Sequence, residues 1–200
     1  MEGVNLYRPH ATQPSEIRLA IEALACNRCN LTATYVAVPI TGGPRFVAWY
    51  ESVGSKLDQQ SPEYKTLQRR EVIEPNCESA QVAIKSILAR DQGRVIDPSQ
   101  FEAPRWTQDD YRNFWSQVIE RFAARAIFLD GWHLSSGCIY EFLVTSTLGI
   151  PTLKSDFSPL TFTNGFSRVK EGLSEMTRIK ADSRFFQKIM NELTDYAKHT

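Results

Sequence analysis

Short apolar runs that stop at glycine or proline and give way to helical stretches recur along this chain, and they restrict its fold more than any other feature. "TATYVAVPI" stops at "TGGP", and "AIFLD" stops at "GWHLSSG" ahead of a helix-length run. Runs this short, rich in β-branched and apolar residues, read as buried strands. "RVIDP" and "IPTL" are two more. Strands that alternate with helices need right-handed crossovers, and these build a parallel sheet covered on both sides.

Helices fill the intervals. Residues 14 to 26 carry Ile17, Ala20, Ile21 and Leu24 at three- and four-residue steps, with Ser15 placed to cap. Residues 45 to 57 form a second helix with Phe46, Trp49 and Tyr50, and "SAQVAIKSILARDQG" a third that ends at Gly93. The next opens at Thr107, with Asp110 three residues on in the manner of a capping box, and its apolar stripe is Tyr111, Trp115, Val118, Ile119 and Phe122. The stripe, with Phe114, reads as core or subunit interface rather than a surface for stacking bases. A last helix spans about 182 to 198, with Phe186, Ile189, Met190 and Leu193 on one face. Residues 58 to 76 are polar and read as an excursion from the core, and 155 to 167 as a loop. The expected fold is α/β: one domain of 1–200, a parallel sheet of about four or five strands of the flavodoxin or Rossmann kind. Its core lies at about 31–155, with an added helical segment at about 180–198.

Charge and cysteine content exclude some functions. The 23 basic and 23 acidic residues cancel, so the chain lacks the electrostatic footprint for general nucleic-acid binding. No apolar run approaches the roughly 18 residues of a membrane span. The first residues lack a basic region followed by an apolar one, so they are not a signal peptide. Four cysteines without such a signal suit a reducing, cytoplasmic setting. Cys26 and Cys29 form one C-x-x-C, but Cys77, Cys138 and the three histidines are scattered, which argues against a metal.

In open parallel sheets, ligands bind at the carboxyl ends of strands. Two loops there are chemically loaded. In "PITGG", Gly42 and Gly43 free the backbone to turn sharply or approach a ligand, although a glycine turn needs none. In "DGWHLSSGCIYE", Ser135 or Ser136 can cap the following helix, and Gly137 and Glu141, four apart, share a face. The absent side chain at Gly137 leaves space beside the Glu141 carboxylate, which leans back toward the strand ends. A carboxylate beside such a space, with a hydroxyl one turn earlier, suits attack on a sugar carbon.

Neighbouring residues are open to two readings. Asp130 is a ligand for a sugar hydroxyl or an Asx turn. Trp132 is a stacking surface or elbow packing. Asp97 lines the pocket or starts a turn at Pro98. His133 is expected in solvent, and Cys138 in packing.

"YVAVPITGG" followed by "GWHLSSGCIYE" and "LGIP" resembles the nucleoside 2-deoxyribosyltransferase-like superfamily, which includes 2′-deoxynucleoside 5′-phosphate N-hydrolases. The likeness spans about 120 residues. It implies Glu141 as the nucleophile, Tyr35 as its positioning partner, Ser135 as a contact to sugar or phosphate, and Gly137 as the motif glycine. It also implies a small nucleoside or nucleotide as ligand, no cofactor, and dimers or tetramers. One position departs: where the family carries an aspartate on the helix before the third strand, this chain has Gln117 or Val118, and Glu120 lies about a turn out of register. The expected activity is cleavage or exchange of an N-glycosidic bond. A non-catalytic nucleotide sensor or an assembly protein on the same fold are the alternatives. Apart from Arg45, no basic residue stands near "PITGG", which argues mildly against a 5′-phosphate.

Overall fold

The computed structural model describes residues 15–28, 33–91 and 93–199, without the side chains of 15, 26–28 and 91. The expected Ser15 cap and the Cys26–Cys29 pair therefore lie outside the described residues. Among the described residues four strands, β1 (Ala33–Ala37), β2 (Val95–Ile96), β3 (Ala123–Phe128) and β4 (Thr152–Lys154), form one sheet in the order β2-β1-β3-β4. Every pairing is parallel: Tyr35 faces Ile96 on one side and Ala126 on the other, and Ile127 faces Leu153. The fold is α/β with helices on both faces, as the alternation of strand and helix predicts. From β1 the chain crosses to one side of the sheet, and from β3 to the other. The carboxyl ends of β1 and β3 thus flank the point where strand order reverses, where doubly wound sheets open a crevice.

Side-chain alternation sends β1 residues to two different layers. Val36 and Ile127 pack with Ala80, Ile84 and Ile87 of α4 (Glu74–Asp91). Tyr35, Ala37 and Phe128 turn to the larger layer, beneath α1 (Ser15–Arg28), α2 (Gly43–Ser52), α5 (Gln108–Phe122) and α6 (Ser136–Thr147). Helix α5 begins with both arms of the capping box in place: the Thr107 hydroxyl accepts from the Asp110 amide, and the Asp110 carboxylate accepts from the Thr107 amide. That satisfies two of the amide donors a helix start leaves open.

Two segments differ from the sequence expectation. The polar stretch 58 to 76 is not an irregular excursion. Helix α3 (Pro62–Gln68) continues through a wide π turn, Arg69–Ile73, into α4. Pro75 explains the wide turn. A proline ring clashes with the carbonyl four residues back, and the π turn lets the Glu74 amide reach Arg69 instead, five residues back. Tyr64 and Val72 on this helix are buried. The presumed loop at 155–167 is cut short by α7 (Phe162–Arg178), which the sequence reading missed, and α8 (Arg184–Ala197) packs on α6 and α7. Glycines at 165 and 172 disguise α7, yet both are buried contact points: a Cβ at Gly172 would lie 2.0 Å from the His133 carbonyl oxygen, and one at Gly165 2.1 Å from the Phe142 ring.

Candidate active site

Tyr35 stands in the middle of β1 with its ring in the larger layer, where Trp115 of α5 packs at 5.9 Å. Glu141 lies in the second turn of α6, and its side chain leans toward the helix start and so toward the strand ends. The two meet: the Tyr35 hydroxyl donates to Glu141 Oε1 at 2.7 Å, and the pair is buried. Glu141 is 8% exposed, and its second oxygen, Oε2, has no hydrogen-bond partner among the described residues. A buried carboxylate oxygen left unpaired costs free energy unless something else meets it.

Electrostatics separate the roles of the groups here. Burial pushes Glu141 up to about 7, against the opposing pull of the Tyr35 hydroxyl and the Cys138 thiol. Burial, and then the Glu141 charge, lift the Tyr35 phenol well above its ordinary value, so it stays protonated and donates. The same two causes lift the Cys138 thiol. Within this trio only Glu141 changes charge near neutral pH.

Glu141 lines a cleft of about 520 Å³ at the carboxyl ends of the strands. Ser135 and Gly137 line it too. Ser135 is the N-cap residue of α6 by backbone position, but its hydroxyl makes no capping bond; it pulls against the rise of the Cys138 thiol. At Gly137 an added Cβ would approach nothing closer than the Ser135 hydroxyl, at 3.9 Å, so packing does not demand glycine there. The bare position widens the space beside the carboxylate, as its spacing from Glu141 predicts.

No family model, curated protein or solved structure matches this chain.

The other expected site residues lie elsewhere. Gly42 backs directly onto the elbow: a Cβ there would meet Leu134 O and Ser135 Cα, each at 2.7 Å. Its glycine serves the contact between the two loops, and Gly43 serves a positive φ of 83°. Neither lines the Glu141 cleft, although Thr41 does. Asp97 accepts from the Ser99 amide and hydroxyl and starts a 3₁₀ turn, leaving Pro98 and Ser99 on the cleft wall. Asp130 and Trp132 belong to a second cleft of about 480 Å³ on the far side of the elbow. There Asp130 accepts from the Ser155 hydroxyl, and Trp132 is core, edge-on to Phe128 at 4.9 Å. His133 is not in solvent but buried, with Nδ1 3.3 Å from Arg168. Burial, and then the Arg168 charge, push it down to about 4. The 3₁₀ turn that α7 covers holds it inside.

Several cleft residues escaped the sequence reading. Arg69 and Glu74 come from the stretch first taken for an excursion and Cys77 from just beyond it, and Tyr111 and Trp115 from a stripe assigned to core or subunit interface. Pro75 hid the continuity of this stretch with the helix already read over "SAQVAIKSILARDQG", whose Ala80, Ile84 and Ile87 are buried. Gln117, at the position where the resembled family has aspartate, is buried and donates to the Asn113 side chain on its own helix. Among the described residues, no group of three His, Cys, Asp or Glu side chains is placed to hold a metal ion, and no helix is long and apolar enough to cross a membrane.

Proposed function

We propose that the protein breaks or exchanges the N-glycosidic bond of a nucleoside or nucleotide, with Glu141 as the nucleophile. The observation that carries this reading is the buried Tyr35–Glu141 hydrogen bond, with Oε2 unpaired, on a residue that lines an open cleft. Tyr35 holds one carboxylate oxygen, which leaves the other to attack the anomeric carbon. The new bond joins Oε2 to C1′ as the C1′–N bond breaks and its electron pair leaves with the base. Water or a second base then attacks C1′, gives up its proton to the departed base, and releases the carboxylate. The same negative charge stabilises the oxocarbenium character of the transition state. A carboxyl titrating near 7 is partly ionised at neutral pH and bears less solvation to shed than one in water. The order of "YVAVPITGG" and "GWHLSSGCIYE", with its family resemblance, supports the same chemistry.

A second reading, a sensor that binds nucleosides without cleaving them, draws on Gln117, whose amide turns to Asn113 at the place of the family's sugar-contacting aspartate. Incubation with a panel of nucleosides, nucleotides and NAD, followed by chromatography, decides between the two. The enzyme releases free base and its Glu141→Gln form does not. The sensor releases none, and both of its forms show a ligand-dependent thermal shift.

A further inference from the structure

We infer that the Glu141 cleft selects a nucleoside that carries no phosphate. This rests on the reading of the cleft as a nucleoside site and names its substrate class more narrowly.

The charged groups around the cleft carry the argument. Glu74 and Glu78 on α4, and Glu102 beyond the 3₁₀ turn after β2, line it, against a single cation among the described residues, Arg69. That cation is already engaged. Its two terminal nitrogens donate to Glu102 at 2.9 and 3.4 Å, and its Nε donates to Glu74 at 3.3 Å. Arg69 in turn holds the Glu102 carboxyl below its ordinary value, so Glu102 is ionised at neutral pH. Three rim carboxylates against one guanidinium leave two negative charges uncompensated, and ionised Glu141 adds another deeper in. A phosphate dianion on the sugar would enter this field with like charge, and Arg69 would have to abandon both carboxylates to meet it. Arg45, the basic residue beside the glycine loop, donates to Asn76 and does not line the cleft.

The rest of the wall suits a neutral ligand. Thr41, Ser99 and Ser135 bring hydroxyls to the same wall, which match sugar hydroxyls. Phe101, Tyr111 and Trp115 form an aromatic flank, with Phe101 edge-on to Trp115 at 5.6 Å, and an uncharged heteroaromatic base fits against it. The buried Oε2 of Glu141 has no hydrogen-bond partner among the described residues, and a sugar carbon that gains positive character suits it better than a phosphate does.

The test compares nucleosides with their 5′-monophosphates on the full chain, by base release and by thermal shift of the Glu141→Gln form. The nucleoside is expected to exceed its monophosphate by at least about tenfold in kcat/KM and in affinity. The gap narrows as salt rises from about 20 mM to 0.5 M, because exposed charges are screened. Glu78→Gln and Glu102→Gln each lower the nucleoside-to-monophosphate ratio. A monophosphate that is cleaved or bound as well as the nucleoside, or a ratio that ignores both salt and these substitutions, overturns the inference while leaving Glu141 chemistry intact. If no base is released from any compound, the N-glycosidase reading falls, and the thermal shift alone judges the inference. Stabilisation by nucleoside but not by monophosphate upholds it, and no shift with either overturns it.

Discussion

Two clefts of similar size flank the elbow after β3, about 520 Å³ on the Glu141 side and about 480 Å³ on the Asp130 side, and each offers a carboxylate. They differ in what surrounds that carboxylate. Asp130 is exposed and already accepts a hydroxyl from Ser155. Glu141 is buried, holds one tyrosine bond and has an oxygen left over. Volume does not separate these two hollows. The unmet electrostatic demand of a buried group does, because the fold bears its cost with no structural return.

The sharpest way to break this contrast is substitution of the two acids. Glu141→Gln is expected to lower base release by at least about a thousandfold, the loss of a covalent route, while Asp130→Asn keeps it within about twofold. Equal losses, or none, erase the distinction. The packing around the second cleft predicts a large effect of another kind. Gly172→Ala forces a methyl group onto the His133 carbonyl, so it is expected to cost about 3 kcal/mol in urea unfolding. Gly137→Ala, open on the cleft side, is expected to cost less than about 1 kcal/mol while hindering turnover.

Stability against pH sharpens the contrast further. The folded-state value of Glu141, about 7, lies above the ordinary 4.5. The folded protein therefore holds this proton more tightly than the unfolded chain does. The associated stability is complete below about pH 4.5 and is lost as pH rises to about 7, by up to about 3 kcal/mol. Glu141→Gln removes this slope, so at pH 8 the inactive variant is expected to melt higher than the parent. Parallel pH profiles of Tm for the two proteins would refute the burial argument. A smaller effect is expected of Tyr35→Phe. Loss of its hydrogen bond raises the Glu141 pKa further, which moves the acidic limb of kcat/KM to higher pH and cuts the rate at pH 7 by about tenfold.

The readable parts of this molecule are those where local chemistry and tertiary role coincide. A β-branched run stopped by "TGG" can hardly be anything but a strand entering a helix, so β1, its neighbours and the parallel sheet follow. The four-residue step from Gly137 to Glu141 likewise puts the open space and the carboxylate on one side of α6. Pro75 and the glycines of α7 mislead because each breaks a local rule that the fold accommodates. Pro75 is accommodated by a widened turn, and Gly165 and Gly172 yield room to Phe142 and His133. His133 was expected in water for want of a visible partner. Arg168, 35 residues on, is brought beside it only by a helix that the glycines conceal.

The widened turn at Arg69–Ile73 also sets an azimuth. Upstream of it, Tyr64 faces Trp49 of α2 at 5.0 Å; downstream, Ala80, Ile84 and Ile87 lie flat on the sheet. One surplus residue phases these two halves, since each residue rotates an α-helix by about 100°. Deleting a residue there would swing Cys77 and Glu78 out of the cleft or peel the downstream half from the strands. Length variation between Arg70 and Val72 therefore reorients one wall of the cleft without altering a single residue that lines it.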